Sequence, residues 1–375
     1  YTPRDLVGAL VTSTLDPVIE DRLRPATTRE AREAAILGIT VCDPACGSGH
    51  FLLAAAERLA GELASVRAEG REPSVTEVRQ ARRDVIGHCL YGVDLNPMAV
   101  DLCKVALWMA GYHSGTPLGF LDHRIRCGNS LVGASPSDAW RDTMNKGLPD
   151  RAFVAPTVRA GPDLGGATEV GTGQTRMRFD PPPDFEALQT SAGRDVATIL
   201  GRDERTVADV TAIAHDYDAW RAETERLRAG FDAWVAAFFW PVEAVAARRA
   251  AAPPTTADFA RPDAAAVPPT LNQPGQREMV AALAARHRFF HWPIEFPEVF
   301  AKGGFDCILG NPPWERIKLQ EQEFFAVRDP AIANAKNANA RKALIQRLPS
   351  TNSTLWREYT EAIADAEATS QFVRT

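Results

Sequence analysis

Apolar residues along the first 130 positions fall into two rhythms. Short runs rich in β-branched and aromatic residues, Ile39-Thr40-Val41-Cys42, Cys89-Leu90-Tyr91-Gly92-Val93 and His123-Arg124-Ile125-Arg126-Cys127, predict strands. The Ala/Leu-rich stretch 52–64 predicts a helix, and residues 70–84 predict a helical or looped piece inserted before the second strand. Far downstream, Phe305-Asp306-Cys307-Ile308-Leu309-Gly310 reads as a strand buried in a parallel sheet. Strands alternating with helices imply an α/β fold with a doubly wound sheet, in which ligands lie at the C-terminal strand ends.

Each of these strands runs into a polar or glycine-bearing loop. After the first comes Asp43-Pro44-Ala45-Cys46-Gly47-Ser48-Gly49, then a helix. Gly47 and Gly49 permit backbone conformations denied to other residues, and the helix N-terminus behind them favours a carboxylate or phosphate. The sequence has no G-x-x-x-x-G-K-[ST], and Gly47-Ser48-Gly49 is followed by His50-Phe51-Leu52, without the third small position of a dinucleotide loop. A nucleoside triphosphate is therefore not the expected ligand. The second strand ends in Asp94-Leu95-Asn96-Pro97, where a carboxylate is placed for a ribose diol, and the third in Gly128-Asn129-Ser130-Leu131. The fourth ends in Asn311-Pro312-Pro313-Trp314. Two prolines stop that strand and stiffen the turn, so that the Asn311 carboxamide and the Pro312 carbonyl present two acceptors to one point, a pattern suited to an exocyclic amine. Trp314 supplies a flat face for a planar ring. In isolation the same tetrapeptide is an ordinary turn with a core tryptophan; its company at the other strand ends is what makes it a site.

Between Ser130 and the fourth strand lies a long stretch that the sheet does not require. It is Gly/Pro-rich over 146–183, helical in pattern over 185–252 and Pro/Ala-rich over 252–274. Trp220, Leu227, Phe231, Trp234 and Phe238 recur at near-helical spacing and predict a packing face. Arg221, Arg226, Arg228, Arg248 and Arg249 alternate with acidic residues and predict a solvated helix face. Residues 318–368 read as charged helices whose densest basic run, Lys318, Arg328, Lys336, Arg341 and Lys342, is a candidate DNA contact.

Composition excludes several classes. With 375 residues, 45% hydrophobic and 24% charged, the chain is neither a tail nor a linker. No apolar stretch approaches membrane length and the start carries no signal peptide, so the expected location is cytoplasmic. The six cysteines, at 42, 46, 89, 103, 127 and 307, form no C-x-x-C pair and are read as reduced packing residues, with no metal site expected. His50, His88, His113 and His291 show no metal-ligand spacing. A net charge of −6 would be unusual for an enzyme that acts on DNA, whose affinity comes largely from neutralised phosphates, and would place the main grip on DNA elsewhere.

Taken together, Asp43 to Gly49 and Asn311 to Trp314 resemble the amino-methylating DNA methyltransferases that use S-adenosyl-L-methionine, and among them the large adenine methylases of type IIG restriction-modification enzymes and of BREX- and DISARM-type phage defence. Tyr1-Thr2-Pro3 and the string Trp292-Pro293-Ile294-Glu295-Phe296-Pro297-Glu298-Val299-Phe300 support that resemblance. It implies a Rossmann-like methyltransferase sheet with a largely helical insertion: a cofactor-binding half over 1–135, the insertion over 136–290, and the catalytic strand and following helices over 291–375, with further strands and a target-recognition domain beyond. It also implies that Asp43, Pro44, Ala45, Cys46, Gly47, Ser48, Gly49 and Phe51 wrap the methionine part of the cofactor, helped by Tyr1, Thr2 and Pro3. Asp94 and Leu95 would hold the ribose side, and Asn129 and Ser130 the adenine. Asn311, Pro312, Pro313 and Trp314 would carry the chemistry on a flipped base of duplex DNA, in a bacterial, nucleoid-associated enzyme that acts alone or with other subunits of a defence system.

Methyl transfer from a sulfonium to an aromatic amine is an in-line displacement, which needs alignment and exclusion of water rather than a covalent nucleophile or strong base. Cytosine N4 presents the same amine as adenine N6, so the tetrapeptide leaves the base open and the adenine assignment comes from the resemblance. A protein amide methyltransferase and a cofactor-gated DNA-recognition subunit are the alternatives.

Overall fold

The computed structural model describes residues 3–134 except 114 and 118, and residues 185–241, 251–254, 271, 274–311 and 318–373. Helices α1 (Arg4–Leu23) and α2 (Arg29–Leu37) lead into strand β1 (Val41–Asp43), followed by α3 (His50–Ala68), α4 (Val75–His88), β2 (Leu90–Asp94), α5 (Pro97–Ala110) and β3 (Ile125–Cys127). After these come α6 (Phe185–Leu200), α7 (Val207–Ala236) with a 3-10 turn at Ala237–Phe239, α8 (Gln276–His287), the short α9 (Trp292–Glu295) and α10 (Pro297–Phe300), and β4 (Cys307–Ile308). Five helices close the described chain: α11 (Glu321–Ala326), α12 (Pro330–Ala333), α13 (Ala338–Ile345), α14 (Leu348–Thr351) and α15 (Ser353–Val373).

The four strands are all parallel in the order β3-β2-β1-β4. Strand order therefore reverses at β1, which has β2 on one side and β4 on the other, and a ligand crevice is expected at the carboxyl ends of β1 and β4. Successive strand residues face opposite layers. Val41, Leu90 and Ile125 enter the core built by α1 to α5, with Leu15, Ile36, Leu52, Leu59, Leu63 and Leu107 fully buried. Cys42, Tyr91 and Val93 meet a layer of Phe290, Phe296 and Val299, and the Tyr91 ring stands edge-on to Phe296 and to Phe305, each at 5.2 Å. The doubly wound α/β expectation holds, with helices added around it.

Local chemistry explains the helix boundaries. The inserted piece before β2 is a helix, α4, opened by a capping box in which Ser74 accepts from the Glu77 amide while the Glu77 carboxylate accepts from the Ser74 amide. Helix α5 starts on an Asn96 cap with Pro97 in its first turn. Two expectations need correction. The fourth strand is a two-residue pairing, and Ile308 is 55% exposed, so the run is buried on one side only. Arg221 and Arg228 do not form a solvated face: both turn inward to Glu295. The Arg226 side chain and Arg248 and Arg249 lie outside the described residues. The expected packing face of α7 is buried, but divides between two clusters: Trp220 packs with Tyr217, Phe120 and Ile213, whereas Phe231, Trp234 and Phe238 pack with Val280 and Leu283. The Leu227 side chain is outside the description.

Glu295 joins the added helices to the sheet. Only 7% exposed, it forms ion pairs with Arg126 of β3 and with Arg228 of α7 at 2.8 Å, with Arg221 at 4.0 Å; Arg126 also donates to the Tyr217 hydroxyl. Burial alone would raise the Glu295 carboxyl, but Arg126, Arg228 and Arg221 together outweigh it and hold the group below the usual glutamate range. A carboxylate with a lowered value stabilises the fold at neutral pH, and that contribution is lost as pH falls through the folded value. Glu295→Gln leaves buried arginines without their anion. Urea unfolding at pH 7 should show a loss of about 3–5 kcal/mol, and the gap between wild type and variant should close as pH drops below about 4.

Candidate cofactor and catalytic site

The site is assembled where β4 lies beside β1, and Asp306 fixes that pairing at its entrance. The Asp306 carboxylate accepts from the Thr40 amide at 2.8 Å and from the Thr40 hydroxyl at 3.0 Å, and pairs with Arg22 of α1. In return the Asp306 amide donates to the Thr40 carbonyl and hydroxyl oxygens. The register that follows, Val41 with Cys307 and Cys42 with Ile308, brings Asp43 level with the end of the fourth strand. A Cβ on Gly310 would come within 2.7 Å of Asp43 Oδ1, so the loops after β1 and β4 are in direct contact, with Asn311 exposed immediately beyond.

Asp43 is 1% exposed and accepts from the Ala45 amide at 3.0 Å. Burial pushes its carboxyl up to about 7, the Ala45 amide works against that rise, and the neighbouring Asp94 adds to it. The loop continues through Gly47 at φ +53° and Gly49 at φ +87°. A Cβ at Gly47 would meet nothing within 4 Å, which leaves open space on that side of the backbone, whereas one at Gly49 would come within 2.8 Å of Cys103 Sγ. The first glycine is open for a ligand and the second for packing against α5. Helix α3 starts directly after Gly49, runs for 19 residues and has no side-chain cap, so the positive end of its dipole faces the loop. Pro44 and Ala45 are half-buried, Ser48 is exposed, and Cys46 is buried against Gly92.

Asp94 ends β2 beside this loop. Its Oδ2 accepts from the Gly47 amide at 2.9 Å and its Oδ1 from Asn96 at 2.8 Å, which occupies about half of a carboxylate's acceptor capacity. Leu95, next to it, is 54% exposed. Asn129 and Ser130 sit half-buried in the loop after β3, held from behind: the Asn129 amide donates to the Arg288 carbonyl at 2.7 Å, and Trp292 Nε1 donates to the Ser130 carbonyl at 3.0 Å. Residues 288–292 thus run beside that loop, and a Cβ at Gly133 would collide with the Phe290 carbonyl. Leu131, which the sequence reading did not count among the candidate site residues, is 57% exposed in the same loop.

Asp43 to Gly49, Asp94, Leu95, Asn129, Ser130 and Asn311 therefore come together at the carboxyl edge of the sheet. The Phe51 ring is the exception, being buried in the helix-side core, although its amide belongs to the uncapped first turn of α3. Pro3 caps α1, while Tyr1, Thr2, Pro312, Pro313 and Trp314 lie outside the described residues. His291 is fully buried: Nδ1 accepts from the Ala134 amide at 2.9 Å, so Nε2 carries the proton that it donates to Asp232. That is a structural role. All six cysteines are free, five are buried and Cys127 is exposed, which corrects the reading of all six as packing residues. The edge has an open-sided glycine, an uncapped helix start, a strand-end carboxylate with acceptor capacity left, and two exposed leucines; it suits a ligand that combines a carboxylate, a diol, an apolar ring and positive charge.

Gly310→Ala tests the contact between the two loops. Asp43 is buried and hydrogen-bonded, so it has little freedom to retreat, and the added methyl should lower unfolding free energy by about 1–3 kcal/mol. Gly47→Ala, strained but unobstructed, should lower it by about 1 kcal/mol. Equal losses in chemical melts would show that the two loops do not constrain each other.

Residues 88–345 match the family described as Eco57I restriction-modification methylase, and residues 24–120 match the MmeI DNA-methyltransferase domain. The chain is 31% identical over 133 residues to a candidate type II restriction enzyme and methyltransferase of Methanocaldococcus jannaschii, an alignment that covers 32% of this chain and 11% of that protein. It is 33% identical over 93 residues to the adenine-specific methyltransferase PglX of Streptomyces coelicolor, covering 25% of this chain and 7% of that protein. The matched region is thus about a tenth of the length of these curated relatives. No solved structure matches. With well over half of its residues inside the first of these matches, the chain belongs to the Eco57I restriction-modification methylase family.

Proposed function

We propose that this chain is the catalytic part of a site-specific, S-adenosyl-L-methionine-dependent DNA methyltransferase that modifies adenine N6 in restriction-modification or phage defence. The observation that carries the reading is the contact between Asp43 and Gly310, which sets the glycine loop and Asn311 against each other at the point where strand order reverses. The family match and the adenine-specific relative support the substrate assignment.

In this reading the uncapped start of α3 and the Gly47 backbone receive the amino-acid end of the cofactor, and Asp94 accepts from the ribose hydroxyls. Leu95 and Leu131 offer apolar faces to the adenine ring, with Asn129 and Ser130 beside them. The bound cofactor supplies an electrophilic methyl group on a positively charged sulfur. Asn311 and the Pro312 carbonyl accept the two hydrogens of the target amine, which turns its lone pair out of conjugation, and Trp314 stacks on the flipped base. Removing the base from the duplex costs a few kcal/mol, which these contacts offset. As the N–C bond forms the S–C bond breaks and the cofactor leaves as a neutral thioether; the cationic nitrogen then loses its extra proton to water, so no side chain need act as a strong base.

Nucleoside mass spectrometry of duplex DNA incubated with the protein and S-adenosyl-L-methionine should yield N6-methyladenine, absent with Asn311→Ala. N4-methylcytosine instead would reassign the base, and a methylated protein amide with no methylated nucleoside would overturn the DNA reading. A second expectation follows from Asp43. A cationic ligand nearby favours its ionised form, so cofactor affinity should rise with pH through about 7 and binding at pH 7 should release up to about half a proton. Calorimetry in buffers of different ionisation enthalpy measures that release, which Asp43→Asn should abolish. Unchanged proton release in the variant would place its source at another group.

A further inference from the structure

Beyond β4 the chain builds a small helical body with its own core of Phe325, Ile332, Ile345, Leu348, Leu355 and Tyr359, anchored through Phe372 of α15 on Phe238 and Phe239. Positive charge on this body is gathered in one stretch, with acidic residues on either side of it. From Pro330 to Arg357 there are five basic residues, Lys336, Arg341, Lys342, Arg347 and Arg357, and no acidic one, in a chain of net charge −6. None of the five forms an ion pair among the described residues, whereas nearby Arg328 pairs with Glu358 at 3.5 Å and lies over the Phe324 ring. Lys336, Lys342, Arg347 and Arg357 are exposed, and the half-buried Arg341 keeps an Nε without a partner.

Beside these cations is a groove of about 500 Å³ between α13 and α15, closed at one end by the start of α11. Its floor is aromatic, with Trp356 and Tyr359 at 5.9 Å, and its rim carries the Asn339 and Gln346 carboxamides and the Lys342 ammonium. The Tyr359 hydroxyl donates to Glu321 at 2.8 Å, which orients that carboxylate at the rim. The half-buried Trp356 indole, tilted 45° to the Tyr359 ring, amides that can donate and accept along a ring edge, and unpaired cations for the flanking phosphates are what an unstacked nucleotide requires. An acidic peptide would use the cations and leave the aromatic groove without purpose.

We infer that the α13–α15 groove binds an unpaired nucleotide of the DNA, with its base against Trp356 and its backbone on Lys342, Arg341 and Arg347. The inference rests on DNA being the substrate, and it adds a contact separate from the methyl-transfer edge. A base stacked in a duplex has both faces covered, so the groove favours DNA with an extrahelical nucleotide over an unbroken duplex.

The test uses the full chain and an oligonucleotide duplex with one bulged 5-iodouracil. Photocrosslinking should mark Trp356, and Trp356→Leu should remove both the crosslink and the preference for bulged over unbroken duplex. Asn339→Ala, at an exposed position, should reduce that preference without changing the melting curve. Lys342→Gln with Arg347→Gln should weaken binding about tenfold at moderate salt and reduce the salt slope by about 1 per cation removed. A crosslink confined to other peptides, or unchanged binding in these variants, overturns the groove. Methyl transfer is followed on the same samples: transfer without the Trp356 crosslink overturns the groove and leaves the proposed function standing, whereas the crosslink without transfer does the reverse.

Discussion

Everything that brings the glycine loop and the Asn311 loop together depends on how β4 is laid against β1, and that pairing is held at its start by one carboxylate. Two residues of β-pairing leave little backbone hydrogen bonding to fix a register. Asp306 makes good the deficit by taking both the amide and the hydroxyl of Thr40, while Arg22 neutralises it from α1. Burial would raise this carboxyl, and Arg22 and Thr40 overcome that and hold it below the usual aspartate range. A slip of one residue would turn Cys307 and Leu309, now buried, to the opposite face and carry Gly310 away from Asp43. The strand order makes a crevice available; Asp306 decides which residues flank it.

The edge so formed is electrically unusual. Asp94 lies close enough for its charge to bear on Asp43, which is buried where the two loops meet. Burial is the main reason that Asp43 takes up a proton so readily, and the charge of Asp94 beside it adds to the effect. A ligand with positive charge favours the ionised form instead. A proton on Asp43 competes with such a ligand and has to leave before the carboxylate can face a positive charge.

Much of the geometry of the candidate site was legible in the sequence because it is local. Asp43 to Gly49 needs left-handed glycines followed by a helix, Asp94 needs a strand end, and both signals fit within a dozen residues. The fold class followed from the same alternation of strands and helices. What could not be read is what depends on distant partners. The arginines of α7 alternate with acids as a wetted helix does, and nothing near them points to Glu295, which lies 67 residues beyond Arg228 in sequence. Asp306 was absorbed into an apolar run, although a lone carboxylate in such a run has to find a partner. The length of the fourth strand was overestimated because apolar composition measures burial and not hydrogen bonding, and Ile308 has neither a covering layer nor an extended ladder among the described residues.

The Glu295 cluster limits how this architecture can be edited. Its anion comes from the segment leading into β4, one cation from β3, and the others from a helix that the sheet does not need. Trimming α6 and α7 to obtain a minimal catalytic body would strand Glu295 and Arg126 as a bare pair beside new solvent, and trimming from the other side would leave arginines facing one another. The added helices are thus not a removable appendage. A shortened version would have to change Glu295 and Arg126 together, and lineages that lost these helices would be expected to carry apolar residues at both positions.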